Sequence, residues 1–118
     1  MSAESCLFCA IVAGDVPAEI VRSDESTVAF RDINPAAPTH VLVVPRRHIT
    51  NAATVTPGDA ADVAALLVAG KAVADAEGIG AEDRGYRLVF NVGPDALNSV
   101  PHLHLHVLGG RTFDWPPG

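Results

Sequence analysis

The run His102-Leu103-His104-Leu105-His106-Val107-Leu108 constrains the fold of this chain more than any other segment. Imidazole and aliphatic side chains alternate strictly, and a period of two is that of a β-strand, whose successive side chains point to opposite faces. The pattern predicts a strand over 102–108 with three rings on one face and the leucines and valine on the other. Same-face neighbours on a strand stand roughly 6.5–7 Å apart, so one phosphate or metal ion can reach more than one ring. The face calls for a polar, anionic ligand. Only five histidines occur in the chain, and the other two, His40 and His48, bracket a second strand-like stretch, THVLVVPRRHI.

Around these segments the chain reads as one domain over 1–118, long enough for a real core and too short for two ordinary domains. Residues 6–13 suit a short helix closed by Gly14. Strands are predicted over 19–21 and 27–33, separated by Ser23-Asp24-Glu25-Ser26. After the breaker Asn34-Pro35 comes a strand over 40–45, whose nearly continuous apolar run implies burial on both faces. A long helix is predicted over 57–77, with Thr56 as N-cap, Pro57 at the first position, acids in the first turn, and Gly78 and Gly80 as the stop. Strands over 86–92 and 102–108 follow, joined by the loop GPDALNSV. The order implies an α+β domain with an antiparallel sheet.

Composition limits what such a domain can do. With 48% hydrophobic and 19% charged residues the chain reads as a soluble globule. No apolar run reaches the eighteen or so residues of a membrane span, and the first residues carry acids where a secretory signal is basic. The expectation is a cytoplasmic protein. A formal charge of −6 argues against a general nucleic-acid binder, so local geometry must hold any anionic ligand. Cys6 and Cys9 stand too close to staple a fold, and a reducing compartment keeps them as thiols. A CxxC pair serves zinc, redox chemistry and packing alike.

Several histidines beside a loop with Asn91, Asn98 and Ser99 suit attack on phosphorus. A neutral imidazole is a competent nucleophile near neutral pH once its other nitrogen is held. Neighbouring rings and amides can stabilise the nonbridging oxygens without a metal, and a hydroxyl such as Ser99 can orient the leaving group. A histidine metal site is the rival reading, although no carboxylate lies within the triad segment to complete it.

HLHLHVL resembles the motif of the histidine triad family. FRDINPAAPTHVLVVPRRHI, YRLVFNVG, SVPHLHLHVLGGR and the terminal WPPG resemble, in order and spacing, the Hint branch of that family, over nearly the whole chain from Phe8 onward. The resemblance implies a five-stranded antiparallel sheet with one long and one short helix, paired as a homodimer, and a purine nucleoside monophosphate pocket. By it His104 is the nucleophile that carries a transient nucleotidyl group, and His102 fixes the attacking tautomer through its carbonyl. His106 bonds the phosphate, and His40 supports the triad. Ser99 serves the leaving group or phosphate, Asn91 the phosphate region, and Asn98 belongs to the nucleotide-binding set. Asp32 accepts from the ribose hydroxyls, as suits an acceptor-only carboxylate. Phe8, Phe30 and Ile33 sandwich the base, with ordinary core packing as the competing role.

The same resemblance implies a structural zinc held by Cys6, Cys9, His48 and His102, with inert thiols and redox activity as the other uses of the cysteines. It implies hydrolysis of nucleoside phosphoramidates, with cleavage of dinucleoside polyphosphates in the manner of the Fhit branch, or nucleotide binding with little catalysis, as alternatives. One departure stands out: Leu97-Asn98 replaces the family's usual Gly-Gln, giving up glycine's access to positive φ, so the loop's backbone donors are expected to be aimed differently. Arg46 and Arg47 are expected to solvate a strand end or to contact phosphate.

Overall fold

A computed structural model describes residues 5–118; Glu4, one of the acids behind the leader argument, lies outside them. The elements run α1 (Leu7–Val12), β1 (Ile20–Ser23), β2 (Thr27–Arg31), β3 (Thr39–Pro45), α2 (Ala60–Ala76), β4 (Tyr86–Val89) and β5 (Leu105–Gly109). The strands form one antiparallel sheet in the order β1-β2-β3-β5-β4. The expected architecture, five strands with one long and one short helix, is the one observed. No helix among the described residues is long and apolar enough to cross a membrane.

Every residue of β3 is buried, because the strand lies at the sheet's centre with a covered face on either side. Val41 and Val43, with Ala29 of β2 and Leu105 and Val107 of β5, face α2 and pack on its Leu66, Ala69, Val73 and Ala74. Gly70 brings α2 close to the sheet, since a Cβ there would stand 3.1 Å from Leu105 Cδ2. The opposite face carries Val28, Phe30, Leu42 and Val44, covered by Cys6 and Phe8 at the start of α1. The period of two thus assigns a β5 residue to the helix side or to the α1 side, and the histidines fall on the latter.

The strand ends differ from expectation, for reasons visible in the backbone. The last strand begins at Leu105 rather than at 102. Val43 pairs with Leu105, and the next position along β3 that could continue the ladder is Pro45, which has no N–H and whose carbonyl accepts from His102 Nε2 at 3.0 Å. Leu103 N–H instead donates to Ile49 O, and the inward and outward alternation survives. β2 stops at Arg31 rather than at 33, leaving Asp32 in a turn where its Oδ1 accepts from Asn34 N–H at 2.8 Å. β4 ends at Val89 rather than at 92, opposite His106 and one residue short of the start of β5. The long helix opens as a 3-10 turn, Pro57–Asp59, closed by Asp59 accepting from Thr56 N–H at 2.9 Å.

Arg46 and Arg47 are exposed at the strand end, as expected, and also bond to the protein. Arg46 donates to Asp24 O and Ser23 Oγ, each at 2.7 Å, and Arg47 pairs with Asp59 and Asp62 at the start of α2. Both clamp the turn after β3 and thereby position His48.

Candidate active site and metal centre

The histidine run divides between two sites. His102 is fully buried, and its Nδ1 lies 3.3 Å from Cys6 Sγ, 3.4 Å from Cys9 Sγ and 3.2 Å from His48 Nδ1. Cys9 Sγ is 3.4 Å from His48 Nδ1, and the four donor atoms lie within 4.8 Å of one another. Because Pro45 O can only accept, His102 carries its proton on Nε2 and turns a bare Nδ1 toward the sulfurs. Zn–S near 2.3 Å and Zn–N near 2.0–2.1 Å give a tetrahedron with N···N edges of about 3.3 Å and S···N edges of about 3.6 Å. The observed spacings fit it. Burial, with Cys6 alongside, pushes the Cys9 thiol up to about 11, so paired thiolates persist here only beside a cation. Burial also holds the His102 ring below the usual imidazole range, hence neutral and able to ligate. Cys6, Cys9, His48 and His102 are therefore a site built for structural zinc.

His104, two residues on, donates Nδ1–H to His102 O at 2.7 Å, which leaves Nε2 as a lone pair. Its ring stands edge to face against Phe8, with centroids 5.1 Å apart. His106 Nδ1 lies 2.9 Å from His40 Nε2, and its own Nε2 is buried without a partner among the described residues. Burial, followed by the neighbouring His104 and His40, pushes the His106 ring down to about 4; burial, opposed by Asp32, lowers His40 as well. Both rings are neutral at physiological pH. An orphaned buried polar group costs about 1–3 kcal/mol, so His106 Nε2 marks a place where a ligand atom belongs.

His104 and His106 open onto a cleft of about 350 Å³. Phe8, Phe30, Ile33 and Leu42 form apolar walls, while Asp32, Asn34, Asn91 and Ser99 supply polar groups. Phe8 and Phe30 also serve the core, being 5% and 3% exposed with ring centroids 5.4 Å apart, whereas Ile33 is 90% exposed at the rim. The aromatic pair therefore packs in the core and lines the cleft at the same time. Asp32 combines a turn role through Oδ1 with an Oδ2 lying 3.4 Å from His40 Nε2.

Not every expected residue enters this cleft. Asn98 lines a neighbouring groove with Asn51, Gly93, Pro94, Ser99 and Pro101, and its Oδ1 is buried without a partner among the described residues; Ser99 borders both spaces. The three rings do not share one ligand, since the lone pair of His102 faces the cysteines. Leu97 adopts the left-handed conformation after all, at φ 59° and ψ 33°, so the loop keeps a glycine-like path with an 85% exposed leucine at the cleft's edge. The Pro45 carbonyl, which sets the His102 tautomer, left no trace in residue types, because a backbone group carries no side-chain signal.

Comparison with known proteins agrees with this geometry. A HIT domain family model matches residues 13–113. An uncharacterized HIT-like protein of Synechocystis sp. is 45% identical over 98% of this chain and 99% of its own length. A 14 kDa zinc-binding protein of Zea mays is 44% identical over 95% of this chain and 87% of its own. The crystal structure of a HIT family hydrolase from Legionella pneumophila superimposes with a TM-score of 0.92 at 47% identity, covering 97% of this chain and all (100%) of that one. A Zn-bound histidine triad family protein from Mycobacterium smegmatis superimposes with a TM-score of 0.79 at 35% identity, over 97% of this chain and 81% of that one. A family model spanning most of the chain and relatives of this similarity make this chain a member of the HIT family.

Proposed function

We propose that this HIT family protein hydrolyses purine nucleoside 5′-monophosphoramidates through a nucleotidyl-His104 intermediate. The observation that carries the reading is the pairing of a bare, oriented His104 Nε2 with the unpartnered His106 Nε2 in one cleft. His104 Nε2 attacks the α-phosphorus. The P–N bond to the amine breaks as the new N–P bond forms, and the amine leaves with a proton drawn from water while Ser99 orients it. Water then adds to phosphorus, the bond to His104 breaks, and the nucleoside monophosphate departs as the surplus proton returns to solvent. The His104 Nδ1–H stays on the His102 carbonyl throughout, which spreads the charge of the intermediate. His106 and Asn91 meet the nonbridging oxygens, Asp32 the ribose hydroxyls, and Phe8, Phe30 and Ile33 the base.

The Cys6, Cys9, His48 and His102 site holds a structural zinc in this reading, outside the reaction path. The free thiols it requires persist in a reducing compartment, which supports a cytoplasmic location. A homodimer is supported by apolar side chains turned outward, Leu67 and Val68 on α2 at 44% and 65% exposure and Leu88 on the edge strand β4 at 41%; light scattering should give twice the chain mass.

Incubation with an adenosine phosphoramidate and, separately, with a diadenosine polyphosphate tests the activity. Release of AMP from the amidate, with a mass-trapped adduct on His104, is the expected result. Cleavage of the dinucleotide alone would replace the substrate class, and turnover no better than that of His104→Ala would leave a nucleotide-binding role.

A further inference from the structure

We propose that the backbone N–H of Ala36 is a positioning group: acting through His40, it fixes His106 as the tautomer whose Nε2–H is free to meet a phosphoryl oxygen. The use of that N–H rests on the phosphoryl-transfer reading above, whereas the tautomer assignment stands on geometry alone. An amide N–H only donates, so His40 Nδ1, 2.9 Å from the Ala36 nitrogen, must accept. A neutral imidazole with a bare Nδ1 carries its proton on Nε2. That Nε2–H lies 2.9 Å from His106 Nδ1. Two N–H groups cannot face each other at this distance, so His106 Nδ1 is bare and its proton sits on Nε2, the buried atom without a partner among the described residues.

Asp32 Oδ2, 3.4 Å from His40 Nε2, stands beyond a normal hydrogen bond and favours the same proton position. His40 is 7% exposed, so water competes little for its nitrogens. Arg111 Nη2 holds Ala36 from its other side, donating to its carbonyl at 3.2 Å.

The consequence is a pair of rings with opposite polarity. His104 donates Nδ1–H to His102 O and offers the cleft a lone pair. His106, whose ring centroid is 5.0 Å from that of His104, accepts at Nδ1 and offers an N–H. One backbone carbonyl and one backbone amide, at 102 and 36, thus set which ring attacks and which receives the developing negative charge.

Long-range ¹H–¹⁵N correlation of the ring nitrogens in the zinc-loaded, substrate-free protein reads the assignment directly. His40 and His106 should appear as Nε2–H tautomers and His104 as Nδ1–H; an Nδ1–H or mixed His106 overturns the proposal. Ala36→Pro removes the donor. It should leave zinc content unchanged, turn His106 into a tautomer mixture, and lower kcat on the order of tenfold with KM little changed. A His106 still wholly Nε2–H in that variant overturns the role of the amide. Should Ala36→Pro not fold, His40→Gln and His40→Leu decide. The Gln amide can still donate toward His106 Nδ1 and should preserve its tautomer, whereas Leu should release it; equal behaviour of the two refutes the relay. Because the spectra need no substrate, absence of hydrolysis would sink the activity reading and leave this one standing.

Discussion

His102 and His104 stand two residues apart on one face of one segment, yet their surroundings are opposite. Around His102 every polar atom points inward: Pro45 O takes its N–H, and its lone pair meets Cys6, Cys9 and His48. Around His104 and His106 the inner nitrogens are committed to the protein and the outer ones to the cleft. The difference shows that a histidine's task is settled by what its second nitrogen touches. A carbonyl on Nε2 leaves a lone pair at Nδ1 for ligation, a carbonyl on Nδ1 leaves one at Nε2 for the attack proposed above, and a donor on Nδ1 leaves an N–H for the proposed phosphoryl contact.

If the two sites are separate in function as in geometry, a substitution should damage one readout at a time. The largest effect is expected for His104→Ala, which should lower turnover at least about 10³-fold while leaving zinc content and melting temperature unchanged. Parallel loss of zinc would show that the sites are one unit. Next comes Cys6→Ala combined with Cys9→Ala, which leaves the His102 lone pair buried without a cation. Unfolding stability should fall by roughly 3–5 kcal/mol, read by denaturant titration beside metal analysis that finds close to one zinc per wild-type chain. A double variant as stable as the wild type would demote the metal to an incidental guest.

Acid sharpens the comparison from the other side. The His106 ring is pushed down to about 4 by burial first and neighbouring rings second, while an unfolded histidine titrates near 6.5. Between those values the unfolded chain binds more protons than the folded one, so stability rises with pH across the window. The contribution is complete above about pH 6.5 and is lost as pH falls toward 4. His106→Gln, which keeps a neutral donor, should flatten that limb by roughly 1–2 kcal/mol after allowance for partial exposure. An unchanged acid limb would mean that the ring is not held neutral by its burial.

The fold was legible where side-chain period and backbone demand coincide. β3 follows from burial on two faces and the alternation of 102–107 from the period of a strand, and both appear as read. The strand ends were not legible, because they depend on where a neighbour runs out of donors, as at Pro45. The candidate site was legible as residue types, from the triad and CxxC, whereas its division into a closed metal cluster and an open cleft was foreseen only through the family resemblance, because it is a matter of ring orientation. That orientation is decided by backbone groups at 36, 45 and 102 that no residue type announces. Asn98 fell outside the cleft because the left-handed residue before it turns the chain, and its side chain, into the neighbouring groove.

The smallest expected effect concerns that same residue. Leu97 holds a left-handed backbone at φ 59°, which costs a non-glycine residue about 1–2 kcal/mol. Its side chain is 85% exposed and so regains little through packing. Leu97→Gly should relieve the strain but also enlarge the freedom of the unfolded chain, for a net gain of about 0.5–1 kcal/mol in denaturant unfolding. Turnover separates the two roles the leucine can have at the edge of the cleft. Unchanged kcat/KM for a small amidate, with a loss confined to amidates of bulky apolar amines, would make Leu97 a contact for the leaving group, because an exposed side chain at a strained position has then found its partner in the substrate. Equal rates for both would leave the residue as strain without recompense, and the loop's backbone path, the same for glycine and leucine, as the only feature that catalysis reads there.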